Sequence, residues 1–142
     1  MDTVFLKKIW EDEDFFKLGI SATAKTISAY TESYATEESI NNLVNGIMLF
    51  AENINSQYLW ENGKRGNNTT PFISLNFQYA NKAGHIRIEV FMEIDDGASF
   101  DKHNCCFYVH TDRASLDRFV NRLQYLYRSA VGSVAVLGND SF

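Results

Sequence analysis

The sequence predicts an α+β fold in which a mostly antiparallel sheet carries two amphipathic helices packed on its apolar face. Residues 72–94 alternate between apolar and polar side chains, which is the period of half-buried strands. Two other stretches, about 36–54 and 113–130, repeat apolar residues at the spacing of one helix face. A chain of 142 residues with 45% hydrophobic side chains fits a single domain, residues 1–142, with its own core.

The first half, residues 1–54, is predicted to be a strand region followed by a helix. Apolar residues alternate with small or polar ones from Leu18 to Ala24, which predicts a strand. Thr36 is suited to cap the helix, because its hydroxyl can accept a hydrogen bond from a first-turn amide. The apolar stripe of this helix consists of Ile40, Leu43, Val44, Ile47 and Phe50.

Residues 55–70 are polar and rich in asparagine and glycine, which predicts a long loop. Long loops inside compact domains are uncommon and often functional. This one contains Tyr58, Trp60 and Glu61, and aromatic residues with polar neighbours are typical of protein–protein contact sites. The alternative is that Tyr58 and Trp60 close the open end of the core.

The second half, residues 71–142, is predicted to repeat the order of strands followed by a helix. Apolar side chains alternate over 73–79 and again over 86–94. The turn Asn81–Gly84 joins these two runs as a hairpin. A polar loop over 95–104 follows.

A third strand is predicted over about 105–110, and Thr111 or Asp112 can cap the helix that follows it. The stripe of this helix consists of Leu116, Phe119, Val120, Leu123 and Leu126. A last short strand is predicted over 134–137.

The two helical stripes correspond residue for residue when 76 is added to each number of the first. The caps correspond in the same way, since Thr36 is matched by Asp112. This spacing suggests a two-fold internal pseudo-repeat. The alternative is that any two capped amphipathic helices share such spacing.

Composition and charge limit the partners. The net charge of −5 and the pI near 5.1 argue against a nucleic-acid partner and favour a cationic protein. No stretch approaches the roughly 20 apolar residues of a membrane span, and no signal peptide is visible. Cys105 and Cys106 are adjacent, which favours reduced thiols, and we therefore expect a cytoplasmic protein.

The sequence contains no motif for catalysis or for a cofactor. His103 and Cys105 could share a strand face, but a zinc site needs three or four converging ligands and no second pair exists. A nucleophile built from Cys105 or Cys106 is supported by sequence proximity alone, and carboxylate clusters such as Glu11–Asp14 usually stay solvated. We therefore predict no catalytic residue, no metal site and no cofactor.

A binding surface remains as the functional prediction. Two segments supply aromatic and carboxylate side chains, the predicted long loop and the loop that follows the hairpin. The predicted partner-binding residues are Tyr58, Trp60, Glu61, Asp95, Asp96 and Asp101. Such a surface would prefer a basic partner.

The arrangement resembles the WapI-like immunity proteins of bacterial polymorphic and contact-dependent toxin systems. Three segments carry the resemblance, Gly84–Val90, Phe107–Thr111 and Ser115–Phe119, together with an upstream helix and a segment that contains Trp60. It covers about residues 36–126. The resemblance implies an acidic cytosolic α+β protein that binds and inhibits a toxin domain, often a nuclease, without catalysis.

Our first hypothesis is therefore an immunity-type inhibitor that occludes the active site of a cationic toxin domain. A second is a small enzyme or ligand-binding domain that uses a cleft between the helices and the sheet. A third is a structural homodimer formed through the outer sheet face, where Phe91 interrupts a polar row.

Overall fold

A computed structural model describes residues 2–66, 70–97 and 101–138. Within these ranges the chain forms eight strands and two helices. The strands are β1 (Thr3–Glu11), β2 (Phe16–Ala24), β3 (Ile27–Ala35), β4 (Gln57–Gly63), β5 (Phe72–Tyr79), β6 (Ile86–Glu93), β7 (Asn104–Thr111) and β8 (Val134–Leu137). The helices are α1 (Glu37–Ala51) and α2 (Arg113–Leu126).

The strands form two antiparallel four-stranded sheets, with the orders β3-β2-β1-β8 and β4-β5-β6-β7. The predicted α+β class is confirmed, and the sheet is divided into two. The second sheet contains four strands in sequence order, whereas the first joins β1, β2 and β3 to β8. Each helix crosses from one sheet to the other. α1 thus connects β3 to β4, and α2 connects β7 to β8.

The inner faces of both sheets and one stripe of each helix form a common hydrophobic core. Burial alternates strictly along β6, as the period-two pattern of residues 86–94 predicts. The stripes of both helices are buried as predicted. Thr36 and Asp112 are the caps, because their side chains accept hydrogen bonds from Ser39 N and Ser115 N.

The two-fold repeat is not confirmed. α2 begins at residue 113, which is 76 residues after α1 begins at 37, and β8 begins at 134, 77 residues after β4 at 57. The strand before each helix keeps nearly the same spacing, since β7 begins 77 residues after β3, but β5 begins 69 residues after β1 and β6 begins 70 residues after β2. The correspondence between the two halves is therefore limited to each helix and the strands on either side of it, β3–α1–β4 and β7–α2–β8.

The predicted long loop over 55–70 is corrected by β4, which occupies Gln57–Gly63 and pairs along its whole length with β5. Inner and outer positions alternate in this strand, but Leu59 lies in the outer row and Asn62 in the inner row, so the pattern is weak in the sequence. The strand ends at Gly63, whose φ of +96° favours glycine. Residues 67–69 of the predicted loop lie outside the described residues.

β1 was not predicted, because a lysine occupies one of its inner positions. Lys8 is buried, and its ammonium donates to the carbonyls of Tyr127 at 3.1 Å and Ser129 at 2.9 Å. It also forms an ion pair of 2.6 Å with the half-exposed Glu11. These carbonyls follow the last residue of α2, where helices leave acceptors unpaired and cations are favoured. α2 ends at Leu126 and not near the predicted residue 130, and Lys8 anchors the turn that follows it.

Within the described parts of the chain, neither helix has the length and apolarity that a membrane span requires.

Candidate functional site: an acidic and aromatic surface beside β3

The structure moves two of the predicted contact residues into or against the core. Trp60 is only 3% exposed and its indole N–H donates to the Ser39 carbonyl at 3.2 Å, so its assignment to a contact surface is corrected. Tyr58 is half-buried, stacks on Phe77 at 5.9 Å between ring centroids, and donates its hydroxyl to the Asn42 carbonyl at 2.9 Å. Both residues close the core, which is the alternative that the sequence left open.

The four predicted carboxylates lie on two separate parts of the surface. Glu61 is exposed on the outer face of β4 and does not line the cleft described below. Asp95, immediately after β6, does line it. Asp96 and Asp101 belong to the connection between β6 and β7, of which residues 98–100 lie outside the described residues.

Asp96 forms a clasp with His103 at the base of this connection. One carboxylate oxygen lies 2.7 Å from His103 Nδ1 and the other accepts from the His103 backbone N–H at 2.8 Å. The side-chain hydrogen bond to His103 lowers the pKa of Asp96, and the same bond raises the pKa of His103. Asp101 makes a smaller contribution to the raised pKa of His103. Asp96 is therefore engaged within the chain.

A cleft of about 440 Å³ lies between the edge strand β3 and the place where β5 begins and β6 ends. We call it the β3 cleft. Charged and aromatic side chains line one wall, and the other wall is mostly apolar with one carboxylate. The described residues that line it are Lys17, Tyr30, Thr31, Glu32, Tyr34, Thr70, Pro71, Ile94 and Asp95.

The polar wall is a connected network on the outer face of β2 and β3. Tyr30, Glu32 and Tyr34 alternate along β3 and so point to the same side. Tyr30 donates its hydroxyl to Glu32 Oε2 at 2.9 Å, and Lys17 Nζ lies 3.0 Å from Glu32 Oε1. The hydrogen bonds from Lys17 and then Tyr30 lower the pKa of Glu32, so this carboxylate is charged at neutral pH.

Gly19 allows this network to form. Its Cα faces the ring of Tyr30, and a Cβ at this position would lie 2.6 Å from the Tyr30 hydroxyl oxygen. Because Gly19 has no side chain, Tyr30 can lie across the neighbouring strand and reach Glu32 two residues along β3. A glycine inside a strand often marks such a close approach.

A β-bulge adds a third aromatic residue. The register of β1 against β2 shifts between Lys8 and Trp10, so Lys8 keeps its inner position while Trp10 lies opposite Lys17 on the outer face. Trp10 meets Tyr34 edge to face with 6.0 Å between ring centroids. Without the bulge, strict alternation would place Trp10 on the same side as Lys8.

The resulting patch is exposed and bordered by carboxylates. Trp10, Tyr30 and Tyr34 expose 44%, 51% and 60% of their surface. The turn Glu11–Asp14 follows Trp10 directly and all four of its acidic residues are exposed. We define the acidic–aromatic surface as Trp10, the turn Glu11–Asp14, Tyr30, Glu32, Tyr34 and Asp95.

A smaller cavity of about 230 Å³ adjoins the β3 cleft and shares Tyr30 and Ile94 with it. His103 and Cys105 both line this cavity. Burial raises the pKa of the Cys105 thiol, and burial together with the Glu89 carboxylate raises that of Cys106. Raised thiol pKa values are the opposite of what an activated cysteine nucleophile shows.

Sequence reasoning missed most of this surface. Of the residues that compose it, only Asp95 was predicted as a contact. The available signal was the spacing of Tyr30, Glu32 and Tyr34, which places two tyrosines and a carboxylate on one strand face. The position of Trp10 depends on a bulge, and no feature of the sequence indicates the bulge.

Comparison of the chain with known protein families, with curated proteins and with solved structures finds no match. Among residues 2–66, 70–97 and 101–138, no three His, Cys, Asp or Glu side chains come together as ligands for a metal ion.

Proposed function

We propose that this protein is a non-catalytic binding protein that captures a cationic protein domain through the acidic–aromatic surface. The observation that carries the proposal is the exposure of three aromatic residues on one face, with Trp10 against Tyr34 and Glu32 between Tyr34 and Tyr30. The carboxylate of Asp95 lines the same cleft as the two tyrosines. Tyrosine and tryptophan dominate the binding energy of protein interfaces, because they bury large area at little entropic cost. A strand face and a tight turn hold these side chains in place before a partner arrives.

The charge of the chain supports a basic partner. The net charge is −5, and the acidic turn Glu11–Asp14, in which Glu11 is paired with Lys8, directly follows Trp10 in the chain. Complementary charge raises the rate of encounter and fixes the orientation of the partners. The contribution of each exposed carboxylate to affinity is expected to fall as salt is added, because exposed charges are screened.

The resemblance to WapI-like immunity proteins suggests the kind of partner, a secreted bacterial toxin domain whose active site this surface covers. A nuclease domain is one such partner, because an enzyme that binds a phosphate backbone presents lysine and arginine. An acidic surface with projecting aromatic rings would compete for that basic site. Inhibition would then follow from occlusion and would require no chemistry by the inhibitor.

Co-expression tests this proposal. The probe is the C-terminal domain of a large secreted protein encoded directly upstream, and the readouts are a co-purifying complex and loss of that domain's activity. Trp10→Ala should weaken the complex, whereas Tyr125→Ala should leave it intact, since Tyr125 is 66% exposed on α2 and outside the surface. If the domain neither binds nor loses activity, the inhibitor proposal is wrong.

A small enzyme is the second candidate, favoured by one observation. Cys105 and His103 line the same cavity, and Asp96 orients the imidazole of His103. The raised pKa of Cys105 speaks against it. The pH dependence of thiol alkylation decides the matter: an enzyme predicts a thiol that reacts well below pH 8, whereas our proposal predicts slow reaction at neutral pH.

The homodimer alternative loses its main support. Phe91 does lie on the outer face of the second sheet, but the guanidinium of Arg65 stacks over its ring at 4.6 Å from the centroid. Arg65 also approaches Phe72, and the backbone N–H of Gly66 donates to Glu93. The segment after β4 therefore covers this apolar side chain within the chain itself.

A further inference from the structure

The β3 cleft already holds a cation that belongs to its own chain. Lys17 Nζ lies 5.4 Å from the centroid of the Tyr34 ring and 3.0 Å from Glu32 Oε1. Contact with the face of an aromatic ring and pairing with a carboxylate are two ways in which proteins bind organic cations. The hydroxyl of Tyr30 donates to the other oxygen of Glu32 and so fixes the orientation of the carboxylate.

The cleft has room and charge for a second cation. Its volume of about 440 Å³ falls within the range of small-ligand sites, roughly 300–1,000 Å³. Asp95 brings a second carboxylate from the opposite wall, and Pro71 and Ile94 supply apolar surface there. Among the described residues that line the cleft, one lysine faces the two carboxylates of Glu32 and Asp95, so their summed charge is −1.

We propose that the β3 cleft binds the guanidinium group of an arginine side chain, stacked on Tyr34 and paired with Glu32 and Asp95. Arginine fits better than lysine, because guanidinium is planar, is weakly hydrated, stacks on aromatic rings and forms forked hydrogen bonds with carboxylates. In the absence of the arginine, the Lys17 ammonium occupies the site, and the Lys17 side chain moves into solvent when the arginine binds. The inference rests on the proposed function only for the identity of the protein that carries the arginine.

This arrangement makes Lys17 a competitor, and its removal should improve the site. Lys17→Met frees both the ring of Tyr34 and an oxygen of Glu32, and we expect arginine to bind about two- to fivefold more tightly, the range typical of an exposed ion pair. Tyr34→Ala and Glu32→Gln each remove one recognition element and should weaken binding by about the same factor. A role for Lys17 in holding the fold alone would predict no gain.

The test is an NMR titration of the full chain with N-acetyl-arginine amide. The isosteric but neutral N-acetyl-citrulline amide and N-acetyl-lysine amide serve as comparison ligands. We expect saturable shifts of the backbone amides of residues 30–34 and 94–97 with the arginine compound, weaker shifts with lysine and none with citrulline. The response of Tyr125→Ala should equal that of the wild type.

Three results would overturn the inference: no saturable shift with the arginine compound, shifts that are equal for arginine and citrulline, or arginine affinity that Lys17→Met, Tyr34→Ala and Glu32→Gln leave unchanged. The outcome is separable from that of the proposed function. Arginine binding by a protein that captures no toxin domain would remove the inhibitor proposal and keep this site. If instead the protein binds and inhibits a toxin domain but shows no arginine response, the inhibitor proposal stands and this site is removed.

Discussion

Gly46→Ala should destabilise the protein, although the same change in most helices is stabilising. Gly46 lies inside α1, where alanine is normally favoured over glycine by about 1 kcal/mol. Here the ring of Tyr58 lies on the glycine, and a Cβ would overlap three carbon atoms of that ring. The ring cannot easily move, because its hydroxyl is bonded to the Asn42 carbonyl and its face stacks on Phe77.

The magnitude follows from three effects. Overpacking in a well-filled site costs about 1–3 kcal/mol. A displaced ring would also lose the bond to Asn42, worth about 1 kcal/mol. The gain in helix propensity offsets about 1 kcal/mol of this, so we expect a net loss of roughly 1–3 kcal/mol. In a Tyr58→Ala background the overlap is absent, and Gly46→Ala should stabilise by about 1 kcal/mol.

The assay is urea unfolding of the four proteins of this cycle, followed by circular dichroism, with Asn45→Ala as a control at an exposed position of α1. The control should change the free energy of unfolding by a few tenths of a kcal/mol in the stabilising direction. A Gly46→Ala protein more stable than wild type, or equal effects in both backgrounds, would refute the packing of Tyr58 over Gly46.

Three further predictions concern the fold and the site. Lys8→Met should lower the free energy of unfolding, measured by urea denaturation, by about 2–3 kcal/mol, because it removes charged hydrogen bonds to the turn after α2. An unchanged urea midpoint would contradict a stabilising role of Lys8 at this turn. Gly19→Ala should change the free energy of unfolding by no more than about 1 kcal/mol, yet it should displace Tyr30 and so lower the pKa of that tyrosine in a spectroscopic titration. An unchanged tyrosine pKa would contradict the close approach of Tyr30 to Gly19. Asp96→Asn should lower the pKa of His103 in an NMR titration, whereas a pKa equal to that of wild type would show that the clasp does not form.

The clasp between Asp96 and His103 has a defined pH window. Because the pKa of His103 is raised in the folded state, the bond from its charged imidazole to Asp96 stabilises the fold fully below about pH 6.5. This stabilisation is lost as the pH rises through the folded-state pKa of His103. Because the pKa of Asp96 is lowered in the folded state, the bonds that its carboxylate accepts stabilise the fold fully above about pH 4. This stabilisation is lost as the pH falls through the folded-state pKa of Asp96. Hydrogen exchange of the His103 amide should therefore be best protected, after correction for intrinsic rates, between about pH 4 and 6.5.

The helices and the central hairpin could be predicted because their patterns are long and one-sided. The spacing of the stripes and the caps at Thr36 and Asp112 located both helix starts to within one residue. The hairpin over 73–94 was found because burial on one face and hydration on the other leave a strict alternation in sequence. The helix ends were less well predicted, since α2 ends at Leu126, and the carbonyls of the turn after it are bound by Lys8 from a strand that is distant in sequence.

The strands β1 and β4 and most of the site could not be predicted for a related reason. Each depends on a long-range partner: a helix end for Lys8, the carbonyl of Ser39 for Trp60, and a bulge against β2 for Trp10. A polar residue at a buried position looks like a break in the pattern until its partner is known. The candidate surface joins β1, β3 and the end of β6, which are remote in sequence, so only Asp95 was anticipated.

The central claim, that the acidic–aromatic surface is the binding surface, is tested most directly by calorimetry with the cationic domain that the co-expression experiment captures. Wild type, Trp10→Ala and Tyr125→Ala are compared at low and at high salt. The account predicts that Trp10→Ala weakens binding about 30-fold, as removal of a central aromatic anchor of about 2 kcal/mol does. It also predicts that Tyr125→Ala binds like wild type and that salt weakens all three complexes. Equal affinities for Trp10→Ala and Tyr125→Ala would contradict it.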